Sequence, residues 1–145
     1  AERTLQIIES QKPKTSIQAD KVRKFNYDEK ASHFYILVVP KATNMNQLKT
    51  LYSEFNKNQF SMDELQITNS ILGTDYQVLI INNFKSLEKA KEYIIQAKNN
   101  NPLKTDFKES ATFQHLLISQ ENFSTLMTDK KLDEYLLFYK ASYPN

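Results

Sequence analysis

The chain has 145 residues, 40% of them hydrophobic and 25% charged, with 19 lysines and arginines against 17 acids for a net charge of +2. That length suits one domain with a proper core and is too short for two, and lysines scattered among acids do not make the basic patch of a nucleic-acid binder. The absence of cysteine excludes thiol catalysis, cysteine zinc sites and disulfides without fixing a compartment, and the single glycine argues against any glycine-rich phosphate loop. No run approaches the ~18 apolar residues of a membrane helix, and no signal-peptide pattern is present. The chain opens at Ala1 in polar sequence, as an excised piece of a longer protein would.

Residues 1–30 are polar and charged, with scattered apolar positions at Leu5, Ile7, Ile8, Ile17, Val22 and Phe25. Residues 4–11 suit a short helix or strand and 12–20 a linker around Pro13, so residues 1–30 read as a tether and residues 31–145 as the domain. The run His33-Phe34-Tyr35-Ile36-Leu37-Val38-Val39-Pro40 has no polar face between the histidine and the proline, which marks a central strand covered on both sides. Pro40 lacks a backbone donor and ends it.

A helix follows, capped by Asn44 or Asn46, with Leu48, Leu51, Tyr52 and Phe55 forming one apolar stripe. Residues 65–72 place Leu65, Ile67 and Ile71 on one side and Gln66, Thr68 and Ser70 on the other, an edge strand with a wet face. Gly73-Thr74-Asp75 supplies a turn, and Tyr76-Gln77-Val78-Leu79-Ile80-Ile81 returns as a second largely buried strand. Ser86 caps a second helix with Leu87, Ala90, Tyr93, Ile94 and Ala97 on its apolar face, and Asn99-Asn100-Asn101-Pro102 stops it. Phe113-Gln114-His115-Leu116-Leu117-Ile118 is a fourth strand. Ser119 caps a short helix with Phe123, Leu126 and Met127. Thr128 or Asp129 caps the last helix, where Leu132, Tyr135, Leu136 and Tyr139 share a face and Leu137 and Phe138 flank it.

The order β-α-β-β-α-β followed by two helices, with right-handed crossovers, predicts a ferredoxin-like α+β sandwich: a four-stranded antiparallel sheet with its first and third strands central and both main helices on one face. The opposite face then needs its own cover from the C-terminal helices, the N-terminal segment or a second copy of the chain.

No catalytic or metal constellation stands out. His33 and His115, the only histidines, have no acid at ligand spacing, and no metal or other cofactor is expected. Asp63-Glu64, Glu121 and Asp133-Glu134 are explained by helix starts more simply than by acid/base pairing, at least for Glu121 and Asp133-Glu134, and no serine sits in a nucleophile elbow. An RNA-binding sheet needs aromatic and basic residues on its third strand, and 76–81 has one tyrosine and no basic residue. Asn122-Phe123-Ser124 matches a glycosylation acceptor at a helix start. Tyr135, Tyr139 and Tyr143 are the candidate interaction surface, an aromatic strip for a protein partner.

The segments H-F-Y-I-L-V-V-P at 33–40, F-N-K at 55–57, L-Q-I-T-N-S-I-L-G at 65–73, Q-V-L-I-I-N-N-F at 77–84, A-K-E-Y at 90–93, L-L-I-S-Q-E-N-F-S-T-L at 116–126 and E-Y-L-L-F-Y-K-A-S-Y at 134–143 together resemble the C-terminal domain of the large tetratricopeptide-repeat lipoproteins of Bacteroidetes that serve gliding motility and type IX secretion, the SprE or PorW group. The similarity spans about residues 30–143. It implies a non-enzymatic domain in the periplasm or at the outer membrane, part of a longer chain that supports the secretion apparatus through protein partners, with no nucleic acid and no membrane insertion by this segment. Self-association through the sheet face is one such partnership. A ligand- or peptidoglycan-binding domain of the same topology is the alternative.

Overall fold

The structure, a computed structural model, describes residues 24–100, 102–103, 107 and 110–143. The helix or strand expected over 4–11, the linker over 12–20 and Pro144 lie outside them. Strand β1 runs His33–Pro40, β2 Gln66–Leu72, β3 Tyr76–Asn82 and β4 Gln114–Ser119. Helix α1 spans Met45–Gln59, α2 Leu87–Asn100, α3 Gln120–Asp129 and α4 Leu132–Ser142. The fold is α+β: one four-stranded sheet in the order β2-β3-β1-β4, every pair antiparallel, and four helices.

Local chemistry sets the boundaries. Asn44 Oδ1 accepts the Gln47 N–H at 3.1 Å to start α1, Ser86 Oγ accepts from Lys89 N at 3.2 Å ahead of α2, and Ser119 Oγ accepts from Asn122 N at 3.2 Å to start α3. The β2–β3 turn uses Gly73 at φ +68, a left-handed conformation in which a side chain is strained. One cap differs from expectation. Thr128 and Asp129 end α3 and do not begin α4: Lys130 takes a left-handed φ of 59 and donates its N–H to Leu126 O at 2.7 Å, and Lys131 is the N-cap of α4 with no side-chain bond.

The alternation of β1 divides its apolar residues between two cores. Tyr35, Leu37 and Val39 pack with Leu79, Ile81 and Leu117 under α1 and α2, whereas Ile36 and Val38 pack with Val78, Ile80, Leu116 and Ile118 under Leu126 of α3 and Leu132 and Tyr135 of α4. The C-terminal helices therefore close the second face. A dimer through that face would have to displace them, because Ile36, Val38 and Val78 are already buried within one chain.

They are not its only cover. Phe25 is 5% exposed, with its ring edge-on to Tyr135 at 5.0 Å and tilted against Phe138 at 5.7 Å. Asn122, the residue of the glycosylation match, is buried with its amide committed: its Oδ1 accepts from Asn26 N at 3.0 Å and its Nδ2 donates to Asn26 O at 2.6 Å. Lys24 pairs with Asp129 at 2.7 Å and with Glu134. The domain thus extends N-terminally past residue 31 to at least Lys24, and Asn122 is closed to glycosylation in this fold.

Two changes test this layering. Phe25→Ala should lower unfolding free energy by about 3 kcal/mol in urea titration, as core phenylalanine deletions do. A chain ending at Ser119 should lose solubility or associate, seen by light scattering across a dilution series, because Ile36, Val38, Val78 and Ile80 lose their cover.

Candidate interaction surface

Tyr135, Tyr139 and Tyr143 do not form an exposed strip. Tyr135 is fully buried in the second-face core and donates its hydroxyl to Leu117 O at 2.5 Å. Tyr143, 7% exposed, belongs to the first-face core, and its hydroxyl lies 2.8 Å from His33 Nε2. Tyr139 is half-buried and stacks on Tyr143 at 4.8 Å. Helical spacing placed two of them on one face correctly, but that face points inward, so each phenol has to find a partner inside the protein.

The two histidines are likewise separate and structural. His33 Nδ1 lies 2.9 Å from Ala31 O and therefore carries the proton in the neutral ring, which leaves Nε2 to accept from Tyr143. His115 Nδ1 lies 2.7 Å from Tyr35 Oη, which in turn lies 2.9 Å from Tyr52 Oη, a chain that ties β4, β1 and α1 together. Burial lowers the pKa of both imidazoles, that of His115 to about 4, and raises those of Tyr35, Tyr52 and Tyr93, so the whole relay is neutral near pH 7. Among the described residues no group of three His, Asp or Glu side chains is placed to hold a metal ion. The carboxylates weighed in the sequence are dispersed: Asp63 and Glu64 precede β2, Glu121 opens α3, and Asp133 and Glu134 open α4, where Glu134 meets Lys24.

The sheet has two edge strands, β2 and β4; β4 is mostly buried, whereas most of β2 is exposed or half-exposed. β2 hydrogen-bonds only to β3, and its seven residues include no charge and no proline, the devices by which edge strands usually avoid pairing with other chains. Ile71 was expected to face the core with Ile67, yet it is 58% exposed, while Met62 just ahead of the strand is 87% exposed. Ile71 shares a face with Ile67 but pairs with Gln77 toward the hairpin end, where it finds no such cover. Alternation read its face correctly but not the reach of the layer above it.

Beside this edge, α1 and β2 enclose a groove of about 730 Å³, lined by Lys49, Ser53 and Lys57 from successive turns of α1 and by Leu65 and Ile67. Asn56 also lines it. Its side chain is 8% exposed, its Oδ1 accepts the Tyr93 hydroxyl at 2.5 Å, and its Nδ2 has no partner. A buried donor left unpaired costs about 1–3 kcal/mol, and this one lies beneath the groove surface and not on it. No residue pattern could have flagged Asn56, because its place on the inner face shows only once α1 is packed. Among the described residues no helix is long and apolar enough to cross a membrane.

Comparison with protein-family models finds no match to this chain, and comparisons with curated proteins and with solved structures find none.

The lowered histidine pKa values make stability depend on pH in one direction. An unfolded histidine protonates near 6.5 and the folded ones only below it, so as pH falls the unfolded chain takes up protons first. Stability should be flat from pH 8 to 7, then fall from about 6.5 toward 4, with a limiting slope near 1.4 kcal/mol per pH unit for each histidine. Urea titrations of the wild type and of His115→Gln check this: the variant should show the shallower decline.

Proposed function

We propose that this chain is a non-enzymatic protein-interaction module that receives an extended segment of a partner along β2. The observation that carries the reading is the unprotected edge: seven uncharged residues with no proline, with Ile71 exposed within them and Met62 exposed ahead of them. An added strand gains main-chain hydrogen bonds from such an edge and specificity from side-chain pockets beside it. The groove against α1 is such a pocket, with Lys49 and Lys57 offset by Glu54 and Glu64, so recognition there rests on shape and hydrogen bonding more than on net charge.

The βαββαβ order, the strand order β2-β3-β1-β4 and two crossover helices packed on one face support a ferredoxin-like core extended by two helices. The resemblance to the terminal domain of the tetratricopeptide-repeat lipoproteins supports a docking role in the bacterial envelope, at the periplasmic or outer-membrane side, in type IX secretion and gliding.

Selection of short linear peptides from a display library against the full chain tests the edge. Backbone amide shifts in NMR should concentrate at residues 66–72, and Ile71→Lys, an exposed change expected to alter stability by no more than about 0.5 kcal/mol, should weaken binding at least about tenfold by placing a desolvated charge against the added strand. Peptides that shift α2 or α4 instead, or that bind Ile71→Lys equally well, would defeat the reading.

A further inference from the structure

At the other end of β2 the second-face layer stops short of the sheet. Gln66 and Asn82 are register partners across β2 and β3 on this face, and Phe34 follows on β1. With Gln120 of α3 and Phe84 beyond β3 they border a cleft of about 320 Å³. Its walls are held firmly: Gln120 donates its backbone N–H to Ser32 O at 2.9 Å, and Asn83, in a left-handed conformation at φ 81, donates Nδ2 to Glu64 O at 3.0 Å.

The chemistry of this cleft is unusual for a chain with one residue in four charged. No residue lining it is a carboxylate, lysine or arginine, and its one ionisable group, His33, is 2% exposed, neutral and bonded through both ring nitrogens. Nothing there balances a phosphate, a carboxylate or a cation. Gln66 and Gln120 are exposed amides that each offer a donor and an acceptor, and Phe34 and Phe84 are half-buried with apolar surface left beside them. Asn82 borders the cleft and is only half-buried, but its Oδ1 is out of contact with solvent and has no hydrogen-bond partner, so a ligand's O–H or N–H reaches this acceptor once the side chain turns toward the cleft.

We propose that this cleft binds an uncharged saccharide. A sugar ring carries neutral hydroxyls that both donate and accept, matching side-chain amides, and an apolar C–H face that suits an aromatic ring. The volume lies at the small end of ligand clefts, roughly 300–1,000 Å³, and holds roughly one or two rings. An extended peptide, advancing about 3.3 Å per residue, would outrun it within a few residues. This site shares only Gln66 with the β2 edge, and its failure would leave the edge reading untouched.

The test is an NMR titration of the full chain with N-acetylglucosamine, with its β-1,4-linked tetramer and with cellobiose, which lacks the acetamido group. Saturable shifts at the side-chain amides of Gln66, Asn82 and Gln120 and at the backbone of residues 32–34 are expected, with Kd on the order of millimolar. A tetramer binding more tightly than the monosaccharide identifies a glycan chain as the source, and equal binding identifies a free sugar. Asn82→Ala should weaken binding about tenfold. Should that variant not fold, Gln66→Ala and Gln120→Ala, both at exposed side chains, should each weaken it about threefold with an unchanged melting temperature. No saturable shift with any of the three sugars at tens of millimolar, or shifts confined to residues outside the cleft, would overturn the proposal.

Discussion

Two adjacent strands that are apolar on both faces cannot rest against water on either one, and most of this architecture follows from that. β1 and β3 fill the middle of the sheet, and each sends alternate side chains to opposite cores. α1 and α2 satisfy one face. The other needs α3, α4 and Phe25, and those pieces come from both sides of the βαββαβ segment. The aromatic residues do more than fill volume: Tyr93 alone touches the rings of Tyr35, Phe55, Phe60 and Phe84, and the buried phenols bond to Leu117 O, Asn56 and His115. Their hydroxyls cross-link elements that apolar contact alone would leave free to slide.

The second layer is narrower than the sheet it covers. Ile36, Val38 and Val78 are sealed, but Gln66 and Thr68 on the same face of β2 remain wet, and the strand beyond them is an open edge. One asymmetry thus leaves both surfaces to which we assign binding: a strand template along the margin and an amide-lined hollow at its corner.

Much of the element order was legible because it rests on short-range rules. Unbroken apolar runs marked β1 and β3, polar caps marked the starts of α1 to α3, and the lone glycine marked the hairpin. What escaped depends on contacts between distant residues. Phe25 sits in a polar stretch that composition assigns to a tether, and only Tyr135 and Phe138, some hundred positions later, give it a place in the core, beside the Asn26–Asn122 pair. Tyr135, Tyr139 and Tyr143 looked like a surface because the terminal helix is aromatic on several sides, yet such a helix is also what a two-core junction demands, with Phe138 packed against both cores. Asn56 and Asn82 are ordinary polar residues in the sequence, and their unpaired atoms come into being only when their neighbours close around them.

The strap formed by Lys24, Phe25 and Asn26 has a mechanical meaning. A pull transmitted along the chain from the N-terminal side reaches the ion pairs to Asp129 and Glu134, the aromatic plug and the Asn26–Asn122 clamp before it reaches the first sheet hydrogen bond at His33. Those contacts tie the N-terminal strap to α3 and α4, so tension entering there acts on the second layer before it acts on the strands. The first contacts to bear such a load therefore belong to the second layer and not to the sheet.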